Sequence, residues 1–201
     1  MKKNYDILME KEINKILENN GEIKPRLLLH SCCAPCSCAI LEYLHAIFDI
    51  TLYYYNPNIS EKGEFEKRYV EIEKFLKDAN FNLKLEKPFH DSEEFFSQVK
   101  GLENVPEGNE RCFICYKIRL ESTAKFAKNH NFQYFASVLS ISPLKKVDKI
   151  NRIGEQLEKE IGINYLYNDF KKKNRYLRSI ELSKKYNLYR QNYCGCIFSK
   201  N

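Results

Sequence analysis

The chain has no tryptophan, 2 methionines, 7 glycines and 6 prolines among its 201 residues. So little glycine and proline excludes a collagen-like or low-complexity chain, and the sequence shows no internal repeat and no linker. The charge-free stretch from Leu27 to Leu41 is short for a membrane span and is interrupted by Ser, Cys and Pro, so no transmembrane helix is expected. The N-terminus, Met1-Lys2-Lys3-Asn4-Tyr5-Asp6, lacks the apolar core and small-residue cleavage site of a signal peptide. A cytoplasmic location follows as the expectation, with no membrane partner. A hydrophobic fraction of 43% suits one globular core, and a net charge of +6 permits a nucleic-acid partner without requiring one.

Cysteine is the exception to this sparseness, with 8 residues. A secreted disulfide framework is one use for an even count. The missing signal and the ample apolar content argue instead for metal binding or catalysis. The arrangement is His30-Ser31-Cys32-Cys33-Ala34-Pro35-Cys36-Ser37-Cys38, then Cys112-x-x-Cys115, then Cys194-x-Cys196. The first stretch follows the apolar run Leu27-Leu28-Leu29 and precedes helix-compatible residues, which places its thiols at a strand-to-helix turn. Unpaired N–H groups of a helix N-terminus favour negative charge there, and thiolate is the form that binds metal or attacks an electrophile. Four buried cysteines acting as small hydrophobes would not call for this spacing.

Along the chain, helices are expected over 4–19 (closed by Asn19-Asn20-Gly21), about 37–48, 61–77, Asp91 to Val99, 112–128, 147–160 and 179–186. Strands are expected over 27–30, 50–55, 82–85, 134–139 and 163–167. This alternation gives an α/β fold: a single domain, residues 26–201, with a mostly parallel sheet of the Rossmann-like type and a helical extension over 1–25. The Cys194-x-Cys196 tail is expected to complete the site. Three strands end in special chemistry, at His30-Ser31-Cys32-Cys33, Tyr55-Asn56-Pro57-Asn58 and Ser140-Ile141-Ser142-Pro143. Open α/β sheets bind ligands at the carboxyl ends of their strands, so one shared site accounts for all three.

Two Cys-x-x-Cys pairs and a Cys-x-Cys in separated segments point to a metal centre at Cys32, Cys33, Cys36, Cys112, Cys115, Cys194 and Cys196. An iron–sulfur site is favoured over zinc, which needs only four thiolates and commonly takes them from nearby pairs, and over a redox dithiol. Cys38 is the odd thiol.

These motifs, with Glu64 and Arg68, Arg111 and Tyr116, Arg119-Leu120, Asp169-Phe170-Lys171 and Tyr189-Arg190-Gln191-x-Tyr193, resemble the QueH-type epoxyqueuosine reductase family from about Leu27 to Ser199. The resemblance implies a cytosolic oxidoreductase of queuosine biosynthesis and tRNA processing. Such an enzyme removes the epoxide oxygen of epoxyqueuosine at the tRNA wobble position, without cobalamin, in a nucleotide alpha-hydrolase-like fold. It implies a [4Fe–4S] cluster with an additional iron close by, held by the seven cysteines outside Cys38. In part of the family the position of Cys36 is an aspartate. Cysteines also occupy the place of the glycine-rich phosphate loop of ATP-using relatives, so no ATP is expected. Partners follow as tRNA carrying epoxyqueuosine and an electron donor of the ferredoxin or flavodoxin type, with the protein a monomer.

Proton-donor candidates are Asp169, Tyr116, Tyr193 and His30. His30 also suits a core histidine bonded to backbone, and Asp169 a helix cap. Substrate-binding candidates are Asn56, Asn58, Arg68, Arg119, Ser142, Lys145, Lys171, Arg190 and Gln191. The run from Lys171 to Arg178 is the best basic patch for phosphates. The competing functions are a zinc-stabilised RNA-binding module and a thiol or sulfur-transfer protein acting on tRNA.

Overall fold

A computed structural model describes residues 3–19 and 23–200. In chain order it contains α1 (Tyr5–Asn19), β1 (Arg26–His30), α2 (Ala34–Leu44), β2 (Asp49–Tyr53), α3 (Lys62–Asp78), β3 (Lys84–Glu86), α4 (Glu93–Val99), α5 (Glu110–Asn129), β4 (Tyr134–Ser137), α6 (Val147–Ile161), β5 (Asn164–Tyr165) and α7 (Arg175–Lys185). Short 3₁₀ turns cover Val138–Ile141 and Ile197–Ser199. The Asn20-Gly21 part of the expected helix stop lies outside the described residues.

The five strands form one sheet in the order β3-β2-β1-β4-β5, and every pairing is parallel. Leu27, Leu28, Leu29, Leu52 and Phe135 are fully buried, as a parallel sheet covered by helices requires. Successive strands step outward from β1 to β3, and the chain then returns to place β4 on the other side of β1. The order therefore reverses between β1 and β4. That is the point at which open α/β sheets bind ligands, beyond the carboxyl ends of the strands.

The helices pack in two groups, α2 with α3 and α7, and α5 with α4 and α6. Helix α1 buries Met9, Ile13 and Ile16 at helical spacing, each contributing about 1.5–3 kcal/mol of transfer free energy. Polar contacts orient it: Tyr5 Oη donates to Asp148, Tyr43 Oη to Glu10, and Arg175 pairs with Asp6. The extension is thus bound to α2, α6 and α7. Among the described residues no helix is long and apolar enough to cross a membrane.

Two element boundaries move the site. Helix α2 begins at Ala34 rather than near residue 37, because Pro35 in its first turn is pre-set for helix and needs no N–H partner. Helix α7 begins at Arg175 rather than Ser179, where the pair with Asp6 of α1 holds the first turn in place.

Candidate metal centre

The first thiol group sits where β1 runs into α2. Cys33 is the extended residue before the helix, with φ −175° and ψ 162°. Cys32 precedes it and Cys36 lies in the first turn. The Sγ atoms of Cys32, Cys33 and Cys36 all fall within 4.8 Å of one another, and those of Cys32 and Cys33 are 3.8 Å apart. Buried polar contacts fix the turn: Ser37 Oγ donates to the Cys33 carbonyl at 3.0 Å and meets Ser31 Oγ at 2.7 Å. Asn56 Nδ2 donates to the Ser31 carbonyl at 2.9 Å, tying the end of β2 to the same loop.

Burial opposes ionisation of Cys33. Hydrogen bonds from Cys32, Cys36 and Gln191 and the Arg68 charge outweigh it and hold the Cys33 pKa well below the ordinary thiol value. Gln191 Nε2 donates to Cys33 Sγ at 3.0 Å. Bonds to Cys32 and Cys33, and burial, push Cys36 the other way.

The second group joins α5 to the C-terminal segment. Cys112 and Cys115 occupy the first two turns of α5, and Cys194 and Cys196 approach them around a space of about 10 Å³. Arg111 anchors the approach to α5, its Nη1 donating to the carbonyls of Leu102, Glu103 and Val105. The backbone N–H of Gly108 donates to Cys112 Sγ at 3.1 Å. Lys145 Nζ lies 3.2 Å from Cys194 Sγ. Against the cost of burial, the charges of Lys145 and Arg119 lower the Cys194 pKa. Cys115, buried and facing the Cys194 charge, is pushed up to about 12. Each group therefore contains one thiol disposed to ionise, Cys33 and Cys194.

Between the two groups opens a cavity of about 350 Å³, with Cys32 and Cys36 on one side, Cys194 on another and Arg119 in its wall. Much of its remaining lining comes from the loop after β4 (Ser142 to Lys145), from α7 (Tyr176 and Ser179) and from Arg190, Gln191, Asn192 and Tyr193. It is large enough for a nucleoside-sized ligand. Arg119, Glu107, Cys194 and Ser199 line both spaces, so the two thiol groups share one wall.

A family model described as "Epoxyqueuosine reductase QueH" matches residues 27–201. Proteins named epoxyqueuosine reductase QueH from Streptococcus pyogenes and Staphylococcus epidermidis are each 41% identical, over 98% of this chain and 78% and 84% of their own lengths. One from Thermotoga maritima is 33% identical over 86% of this chain and 89% of its own length. The chain belongs to the epoxyqueuosine reductase QueH family.

In this QueH-family chain all seven candidate ligands fall at the two groups, with Cys38 outside them. Its Sγ donates to the carbonyls of Pro35 and Ser179, and burial pushes its pKa up to about 11. The donor set of the first group, Cys32, Cys33 and Cys36, fits a metal ion. All eight cysteines are free, and two sulfurs each about 2.3 Å from one tetrahedral ion stand about 3.8 Å apart, the separation of Cys32 and Cys33.

Of the proton-donor candidates, Tyr193 lines the larger cavity and Tyr116 the smaller. Burial pushes Tyr116 up to about 12. His30 is fully buried, and Nε2 faces the Tyr55 carbonyl at 3.0 Å. Nε2 must then donate, and Nδ1 accepts from Ser137 Oγ at 2.9 Å. Both nitrogens are engaged, so His30 joins the end of β1 to the segment after β2 and to β4 from within the core. Asp169 lines neither cavity. Its Oδ1 lies 3.8 Å from Lys171 Nζ, and Lys171 is likewise absent from both walls.

Among the substrate candidates, Arg119, Ser142, Lys145, Arg190 and Gln191 line the larger cavity. Asn56, Asn58 and Arg68 are buried and do not line it. The expected basic patch is largely neutralised, because Lys173 pairs with Glu10, Arg175 with Asp6, and Arg178 with Glu42 and Glu181. Glu107, Tyr176, Ser179 and Asn192 line the larger cavity without having been expected there. Glu107 and Asn192 stand beside cysteine motifs, which is the signal that could have found them.

Proposed function

We propose that this protein is a tRNA epoxyqueuosine reductase whose two thiol groups carry an iron–sulfur centre. The observation that carries the reading is that two thiol groups, drawn from three segments, flank one nucleoside-sized cavity whose wall takes Cys32, Cys36 and Cys194, in a QueH-family chain. The four thiols of Cys112, Cys115, Cys194 and Cys196 match the Cys₄ set of a [4Fe–4S] cluster. The three thiols of Cys32, Cys33 and Cys36 suit an additional iron with an open position toward the cavity. Removing the epoxide oxygen to leave an alkene consumes two electrons and two protons and releases water. When bound, the iron–sulfur centre supplies electrons singly and polarises the epoxide oxygen.

The chain's own residues do the rest. Cys33 and Cys194 offer thiolate before metal arrives. Tyr193 stands in the wall beside Gln191 and Arg190 and holds the proton for the released oxygen. Ser142 and Lys145 line the same cavity, with Lys145 against Cys194. The target base must leave the anticodon-loop stack to enter, so exposed Lys146 and Arg190 near the cavity face the tRNA backbone. A low-potential one-electron carrier of the ferredoxin or flavodoxin type supplies the reducing equivalents in the cytoplasm.

The test is anaerobic reconstitution with iron and sulfide, followed by incubation with epoxyqueuosine-containing tRNA and a one-electron reductant. Queuosine should form without ATP or cobalamin. Colourless protein holding one zinc, or ATP-dependent insertion of sulfur into tRNA, would overturn the reading.

A further inference from the structure

Four arginines are buried in this chain, and three have evident partners. Arg68 Nε donates to Glu64 at 2.6 Å, Arg111 donates to three loop carbonyls, and Arg175 pairs with Asp6. Arg119, 1% exposed, differs. Its Nε donates at 3.2 Å to the Cys115 carbonyl, one turn back on its own helix. Its Nη2 is buried with no hydrogen-bond partner, and no carboxylate among the described residues forms a salt bridge with it. A guanidinium does not shed its proton to escape burial, as a lysine can. An unpaired buried charge is among the costliest features a fold can carry. The groups whose negative charge would act most strongly on Arg119 are cysteines of both groups, Cys115, Cys194 and Cys32, and of these Cys194 is the one disposed to ionise. It also stands in the wall of both cavities.

We propose that Arg119 is the fixed counter-charge of the metal centre, a positioning residue that sets the potential at which the centre accepts an electron. The inference rests on the iron–sulfur reading above. Each electron entering the site adds negative charge to a group already bound by thiolates. A cation that cannot move or titrate favours the reduced state without taking part in proton transfer. Its place in the wall shared by both groups lets one charge act on both metal positions. Arginine suits this role because its charge is spread over a rigid plane and is weakly hydrated. The unpartnered Nη2 is the donor left for what the thiols hold.

The test uses the full chain, loaded anaerobically. Arg119→Met removes the charge and keeps the length of the side chain, Arg119→Gln is a second neutral variant, and Arg119→Lys restores charge. Iron and sulfide content is measured first, and the midpoint potential is then read by spectroelectrochemical titration. Both neutral variants should shift the reduction equilibrium at least tenfold toward the oxidised state, about 59 mV for a one-electron couple. Arg119→Lys should recover most of that shift. The KM for tRNA should stay near that of the parent while kcat falls. Loss of iron from the neutral variants alone also supports the proposal, since charge is then what loading requires. An unchanged potential with full iron, a change in KM alone, or loss of iron from all three variants would overturn it. A parent protein that takes up no iron would instead overturn the iron–sulfur reading.

Discussion

Arg68 Nη1 donates to the carbonyl of Cys194 at 3.0 Å, joining α3 to the last cysteine pair of the chain. Its Nη2 reaches the Tyr193 carbonyl at 3.4 Å, and Nε is held by Glu64. One guanidinium therefore fixes the Cys-Gly-Cys turn by its backbone. Arg68→Met leaves the nearly buried Glu64 with the Tyr189 hydroxyl but no counter-charge, and breaking such a pair costs about 3–5 kcal/mol. Arg68→Lys keeps a charge for Glu64 but cannot also hold both carbonyls. The lysine variant should melt closer to the parent than Arg68→Met and still lose iron, as measured by thermal unfolding and metal analysis. Full iron in Arg68→Lys would show that the turn stands without the clamp.

Gly195 carries the complementary prediction. Its φ is +101°, and a Cβ there would lie 2.8 Å from Ile59 Cγ1 and 3.0 Å from Arg68 Nη1. Gly195→Ala combines backbone strain of about 1–3 kcal/mol with two contacts that must give. It should displace Cys194 and Cys196 and reduce iron content, while the far-ultraviolet circular dichroism of the sheet and helices stays unchanged. A variant with parent iron content would contradict the tightness of this turn.

Cys36 and Cys38 are two residues apart on α2 and should behave oppositely. Cys38 is enclosed by Pro35 and Ser179, so Cys38→Ala loses only a small packing contribution of about 1 kcal/mol and keeps its iron. Cys36→Ala leaves two thiols in the first group and should bind substoichiometric iron. Parallel metal analyses decide the matter, and equal iron in both variants would remove Cys36 from the ligand set.

The proton source separates Tyr193 from Asp169. A positioned general acid contributes about 10²–10⁴-fold, so Tyr193→Phe should lower kcat by at least about a hundredfold with iron content and midpoint potential unchanged. Asp169→Asn should turn over as the parent does, because its carboxylate faces Lys171 and neither cavity. Single-turnover assays on both variants check this, and the reverse ranking would move the proton source to the end of β5.

Much of the architecture was legible in the chain, because apolar runs such as Leu27-Leu28-Leu29 and the turn at Asn56-Pro57-Asn58 carry local signals. The cysteines that gather into the two thiol groups were legible for the same reason, since cysteine spacing is written in the sequence. What was not legible depends on distant partners. Strand β2 stops at Tyr53 because β3 pairs with it only as far as Glu86, and the Tyr54 N–H closes on the Glu86 carbonyl at 2.8 Å. Lys171 to Arg178 reads as a free basic patch until Glu10, Asp6 and Glu42, far away in sequence, neutralise most of it. In the motif Ser140-x-Ser142, the two serines part company. Ser140 Oγ bonds Asn168 and accepts from the Phe170 N–H at 3.1 Å, which makes it structural, while Ser142 lines the cavity.

On the proposed reading, two thiol groups, three and four strong, hold one iron–sulfur centre at the β1/β4 switch point. Iron and sulfide per chain, with Mössbauer spectra, should be measured for the anaerobically reconstituted parent, for Cys32→Ala/Cys33→Ala and for Cys112→Ala/Cys194→Ala. The parent should hold about five irons and four sulfides, from one four-iron cluster and one further iron. The first double variant should lose the additional iron and keep the cluster signal, and the second should lose the cluster. Equal iron loss from both variants with no cluster signal remaining in either, or a parent that binds only one zinc, would contradict it.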